Sequence, residues 1–164
     1  MTAFVETRCL PAMTLVGYAE DFVSAMVPDS DASEVIPEIW GTVFDLLEEA
    51  DEFEFGWAVG VISPSQDRAP KQGQLKYFAG LVTDEIPDSH PGLEVVKLES
   101  SNYLVCEHLG SLDELAETTK WFYDEYLPTA GFHVIDGPHL EVYDERFDPD
   151  SDQSVVMICA PIAG

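Results

Sequence analysis

Two stretches of this chain, residues 13–84 and 102–162, carry the same succession of hydrophobic patterns. In the first, "MTLVGYA" (13–19) reads as a strand, and the polar link "PDSDAS" leads into a helical stretch. "GWAVGVIS" (56–63) and "QLKYFAGLVTD" (74–84) then read as two more strands. The helical stretch repeats apolar side chains at Ile36, Trp40, Val43, Leu47 and Ala50, the spacing of one helix face. Ser33 is placed to cap its start, and Pro37 to sit in its first turn, where a missing N–H costs little. The second stretch opens with the strand "NYLVCEHLG" (102–110), followed by "SLDE" (111–114), which has the form of a capping box through Ser111 and Glu114. A helix bearing Leu112, Leu115, Ala116, Thr119, Phe122, Tyr123 and Tyr126 on one side runs to Pro128, and "HLEVYDE" and "SVVMICAPI" (154–162) read as closing strands.

A strand–helix–strand–strand unit used twice constrains the fold to α+β. The expected architecture is a duplicated βαββ unit with pseudo-twofold symmetry, antiparallel sheets, and two main helices flanking a central groove. Joints between structural units are where small-molecule pockets preferentially form. An α+β sandwich without symmetry is the alternative, since periodicity does not distinguish the two. The 164 residues are the usual size of one domain, taken as 1–164, with half-repeats at about 13–84 and 102–162. The connector, about 85–101, contains "PGLEVVKLE" (91–99), an additional strand or extended link.

Charge narrows the partners. With 32 Asp and Glu against 7 Lys and Arg, the net charge is −25. Such a surface repels phosphate backbones and anionic headgroups, so neither nucleic acid nor membrane is an expected partner. It attracts cations, and it is also what a solvated shell adapted to high salt looks like. At 46% hydrophobic residues the chain is globular, not a disordered acidic tail. "MTAFVETRCL" shows no signal-peptide pattern, and stretches such as "WAVGVI" are too short to cross a bilayer. Cys9, Cys106 and Cys159, odd in number and set in apolar segments, suit small buried hydrophobes in a reducing cytoplasm.

Within "GPHLEVYDERFD" (137–148), strand alternation places His139, Glu141 and Tyr143 on one face and Leu140 and Val142 on the other. Glu141 is then either a solvent-facing strand glutamate or a carboxylate aimed into a ligand pocket. His133, His139 and Glu141 could be written as a metal set, but spacing places no third strong ligand. "DPDSDQSVVMIC" starts like a calcium loop, yet Gln153 and Cys159 stand where a glycine and a glutamate are needed. No phosphate-binding loop or nucleophile elbow occurs, and Ser101 and His108 have no evident third partner. No catalytic residue, metal or cofactor is therefore expected.

From "YLVCEHLG" through "EYLPTAGF" to "LEVY", the segment Asn102–Tyr143 resembles the GyrI-like effector-binding family. That family includes the ligand-binding domains of AraC-type and MerR-type multidrug-responsive activators. Upstream, "VIPEIWGTVF", "KYFAGLVTDE" and "PGLEVVKLESSNY" match further family motifs in order, so the resemblance spans nearly the whole chain. Tyr126 stands where the family usually has tryptophan, and Ala130 where it has serine. With no helix-turn-helix in the sequence, the resemblance implies a stand-alone sensor domain.

The resemblance also implies a groove for bulky, flat, often cationic apolar compounds. The family's carboxylate maps to Glu141, its helix aromatic to Trp40 and its strand tyrosine to Tyr77. Tyr143 shares the Glu141 face, and Phe122 lies on the buried side, where it either packs the core or floors the groove. A carboxylate among apolar groups is costly unless paired, so a lipophilic cation that neutralises it is favoured over a neutral ligand. Each aromatic face adds cation–π attraction of roughly 0.5–2 kcal/mol. The expected function is a cytoplasmic binding protein for lipophilic, cationic aromatic small molecules, as sensor or sequestering agent. Two alternatives follow from the same resemblance. One is hydrolysis of strained electrophilic natural products, with Glu141 as general base. The other is a protein-interaction role of the gyrase-inhibitor kind.

Overall fold

The computed structural model describes residues 2–163. They form two compact units, one of Ala12–Glu99 and the other of residues 2–11 with 100–163. The first, or middle, unit contains strand β2 (Met13–Val23), helix α1 (Ala32–Leu47), β3 (Ala58–Pro64), β4 (Gln74–Val82) and β5 (Glu94–Leu98). Its strands pair antiparallel, β3 with β4, β4 with β2, and β2 with β5. The second, or terminal, unit contains β1 (Thr2–Leu10), β6 (Ser101–Leu109), helix α2 (Leu115–Trp121), β7 (His139–Tyr143) and β8 (Val155–Pro161). It too is antiparallel throughout, β1 with β6, β6 with β8, and β8 with β7. The protein is thus α+β, and each unit repeats strand, helix, strand, strand.

Each unit also carries one strand that precedes its repeat's partner. The half-repeats expected from the pattern begin only at Met13, yet Thr2–Leu10 forms β1 and pairs along β6. In the middle unit β5 takes the same place beside β2. The strand at 91–99 is therefore a sheet member, shortened to Glu94–Leu98. Both outer strands lead directly into the first strand of a repeat with which they do not pair. Sequence-adjacent strands usually pair, which is why patterning alone does not reveal this exchange.

Helix α1 is held on its sheet by Ile39 and Val43, both wholly enclosed with Phe22, Tyr77 and Ala79. Its start is tied down by side chains just before it. Ala32 N–H donates to Ser30 Oγ at 3.1 Å, and Val23 N–H to Asp31 Oδ1 at 2.7 Å. Ser33 is therefore inside the helix, not its cap, Pro37 lies past the first turn, and Ala50 falls beyond the end. Those corrections share a cause: the chain turns into the helix earlier, where Asp31 can bind the end of β2.

The second helical run differs more. Ser111 makes no side-chain cap; its carbonyl accepts Nε2–H of the enclosed His108 at 2.9 Å and the Glu114 N–H at 3.2 Å. Leu112–Glu114 is a 3₁₀ turn, Leu115–Trp121 is α-helical, Phe122–Tyr126 widens to a π-turn, and Leu127–Thr129 tightens again. The expected stripe holds in its later part, where Phe122 is enclosed with Tyr123 and Tyr126 packed beside it. At its start Leu112 and Ala116 are exposed, and Thr118 is enclosed instead. Of the three cysteines, Cys106 and Cys159 are buried but Cys9 is exposed, because β1 is a terminal strand. Burial pushes the Cys106 thiol up to about 12, so it is inert as a nucleophile. No helix among the described residues is long and apolar enough to cross a membrane.

Since Ile39 has no exposed surface, Ile39→Ala should lower the unfolding free energy by about 2–5 kcal/mol. Urea unfolding monitored by circular dichroism checks this. A loss under about 1 kcal/mol would mean that α1 is not docked through this side chain.

Candidate functional site

In the terminal unit the pleat sorts the side chains of β7. Glu141 lies opposite Ile158 on β8, and directly opposed residues of an antiparallel pair project to the same side. Ile158 packs with Leu104, Cys106 and Phe122 beneath the α2 run. Glu141 therefore projects toward the helix-bearing side, with His139 and Tyr143 two residues away in each direction. Leu140 and Val142 point the other way and are buried. Glu141 itself is half-buried.

Aromatic and polar groups crowd this carboxylate. Tyr143 Oη donates to Glu141 Oε1 at 3.1 Å, and the Tyr143 ring meets Phe147 edge-on at 4.8 Å and 77°. Tyr123, from the π-turn, shares a 2.8 Å hydrogen bond with His139 Nδ1. Burial lowers the His139 pKa from 6.5. Burial, with the nearby Glu141 carboxylate adding to it, raises that of Tyr123, which keeps its proton. The face thus presents one carboxylate among groups that favour their neutral forms. Phe122, wholly enclosed, backs it by stacking on Tyr126 at 6.1 Å and meeting Tyr123 edge-on at 5.1 Å. Trp121 packs on Tyr126 at 5.4 Å.

The middle unit holds a second group. Trp40 Nε1–H donates to Tyr77 Oη at 3.1 Å, with the rings 6.3 Å apart at 75°. Phe22 meets Tyr77 edge-on at 5.9 Å and 89°. Tyr77 is enclosed, while Trp40 is half-buried. Gly60 makes room for this arrangement, because a Cβ there would collide with the Tyr77 hydroxyl. An interior strand glycine often marks such a close approach, and the one in "AVGVIS" was the available signal for it.

The five residues singled out from sequence therefore fall into two sets. Glu141, Tyr143 and Phe122 belong to the terminal unit, and Trp40 and Tyr77 to the middle one. Tyr123, Phe22 and Phe147 join them from the structure. Tyr123 is on an apolar helix pattern that equally describes core residues, while Phe22 and Phe147 lie beyond the strands read at 13–19 and 139–145. A shallow cavity of about 330 Å³ in the terminal unit is lined by Thr7, Arg8, Cys9, Asn102 and Phe132. Another of about 360 Å³ lies along Glu117, Lys120 and Trp121. Neither is lined by any of the five residues. Both are open to solvent, and we assign no ligand to them.

A model of the GyrI-like small molecule binding domain matches residues 5–163. Among solved structures, SAV2435 bound to tetraphenylphosphonium is similar at a TM-score of 0.70 and 21% identity, over 98% of this chain and 94% of that one. A bacterial transcription regulation protein from Staphylococcus aureus Mu50 gives 0.62 and 20%, over 98% and 99%. EcmrR in a DNA complex gives 0.70 and 12%, over 98% of this chain and 57% of EcmrR. None of the proteins of curated function matches. At these identities the structures speak to the fold.

Two outcomes follow from the geometry. Gly60→Ala should displace Tyr77 and break its bond with Trp40, shifting tryptophan emission to longer wavelength; an unchanged spectrum would mean that the ring is not held there. His139 should make stability pH-dependent. Its folded pKa is depressed, so its contribution is complete above the unfolded value near 6.5 and is lost as pH falls below it. Denaturant unfolding between pH 7.5 and about 5.5 should therefore show the wild type losing ground relative to His139→Gln on acidification.

Proposed function

The chain belongs to the GyrI-like small molecule binding family, and we propose on that premise that it binds lipophilic aromatic cations, with Glu141 pairing the ligand charge. The observation that carries the reading is the setting of Glu141, half-buried on the helix-bearing side of its sheet among Tyr143, Tyr123 and His139. An ionised carboxylate in such surroundings gains most from a cation that brings its own apolar surface. The similarity to SAV2435, whose structure holds tetraphenylphosphonium, supports that class of ligand. Within the terminal unit Tyr143 supplies aromatic surface beside that carboxylate. In the middle unit the half-buried Trp40 offers the strongest cation–π face, held by its bond to the enclosed Tyr77. Phe122, being enclosed, acts by holding Tyr123 and Tyr126 in place. The role is sensing or sequestration by a cytoplasmic binder, without chemistry on the ligand.

The test is a tryptophan-fluorescence titration with tetraphenylphosphonium on wild type and Glu141→Gln. Saturable quenching should weaken at least about tenfold in the variant, the equivalent of about 1.4 kcal/mol. Equal affinity in both proteins would return Glu141 to a solvated strand position. Mass spectrometry of the recovered compound should find it unchanged, whereas a hydrolysed product from an electrophilic ligand would favour the enzymatic reading.

A further inference from the structure

Strand β1 ends its sheet: among the described residues, β6 is its one strand neighbour. A nine-residue edge without proline is a template for another strand, and proteins usually blunt such edges. The outer strand of the middle unit is blunted, with five residues and Lys97 near its end. On β1 the residues facing away from α2 are Phe4, Glu6, Arg8 and Leu10, in the order apolar, acid, base, apolar. Phe4 is 58% exposed. That order is its own complement when the strand is reversed.

We propose that two copies of this chain dimerise by antiparallel pairing of their β1 strands about a twofold axis at Thr7. In that register Glu6 meets Arg8 of the other copy twice and Thr7 meets itself, while the exposed Phe4 twice meets the edge of Leu10, which is already mostly covered by its own chain. All are favourable cross-strand pairs. Shifting the axis to Glu6 opposes two glutamates, and shifting it to Val5 pairs Glu6 with Phe4. Side chains of one parity share a face, so half-step registers are excluded. Two chains of net charge −25 repel each other, so contact requires a place where the acidic surface is interrupted. Two of the three arginines, Arg8 and Arg146, meet at Glu107 beside this edge. The contact is isologous and closes, as twofold interfaces do.

Sedimentation velocity over a range of concentrations tests this on wild type, Glu6→Arg, Arg8→Glu and an equimolar mixture of the two variants. Wild type should dimerise, and each variant alone should dimerise at least about tenfold more weakly, because like charges are then opposed. The mixture should recover the dimer, since a strand carrying two bases then faces a strand carrying two acids; recovery also shows that both variants fold. As a second readout, Thr7→Cys in a Cys9→Ser background should oxidise to a covalent dimer through the twofold position. A wild type that stays monomeric at all concentrations overturns the proposal. So does a dimer insensitive to both charge changes, or a mixture that stays monomeric while both variants keep the wild-type circular dichroism spectrum.

Discussion

The register of β7 on β8 sets Leu140 against Cys159, Glu141 against Ile158 and Val142 against Met157. Because a strand's side chains alternate, a slip of one residue would carry Glu141 to the opposite face and drive Leu140 and Val142 under the helix. The burial of Leu140 and Val142 resists that slip. The carboxylate is therefore held in an apolar setting by its apolar neighbours, and everything else about the candidate site follows from its direction. Tyr143 reaches it because the two share a face, and Tyr123 lies close because the π-turn crosses that face.

Charge is distributed with similar economy. Arg8 and Arg146 converge on Glu107, with Glu6 and Asp144 as their further partners. Burial works to raise the Glu107 carboxyl, yet hydrogen bonds from Arg146 and Arg8 outweigh it and hold the group below its usual value. This network lies on the face of the sheet away from α2, since Glu107 sits opposite Met157 while the helix covers Cys106 and Ile158. Glu141 lies on the other face, apart from these arginines. The sheet thus separates the carboxylate that the arginines neutralise from the one on the helix-bearing face.

Much of the fold was legible in residues. The strand at 74–84 and the closing strands announced themselves through β-branched and aromatic runs, and α1 through Trp40, Val43 and Leu47 at helical spacing. The departures cluster where local pattern competes with a neighbour. "SLDE" has the letters of a capping box, but the Ser111 carbonyl is engaged by His108 from β6. Ser33 could cap a helix, but Ser30 and Asp31 reach the end of β2 first. The pattern Leu112–Ala116–Thr119 assumed a uniform α-helix, but the run opens as a 3₁₀ turn. Leu112 and Ala116 are exposed and Thr118 is enclosed, while Phe122 is buried as the pattern placed it.

For the candidate site, the chemistry was in the sequence and the company was not. That Glu141 and Tyr143 share a face is a consequence of strand period, and that Trp40 lies on an apolar stripe is a consequence of helix period. Local periodicity determines such things because neighbours in sequence are neighbours in space. The bond from Trp40 to Tyr77, the room left by Gly60, the bond of Tyr123 with His139, and the placing of β1 beside β6 join residues far apart in the chain. Only tertiary structure decides those, since they depend on which surfaces pack together, and a one-dimensional pattern specifies which face is apolar but not what will cover it.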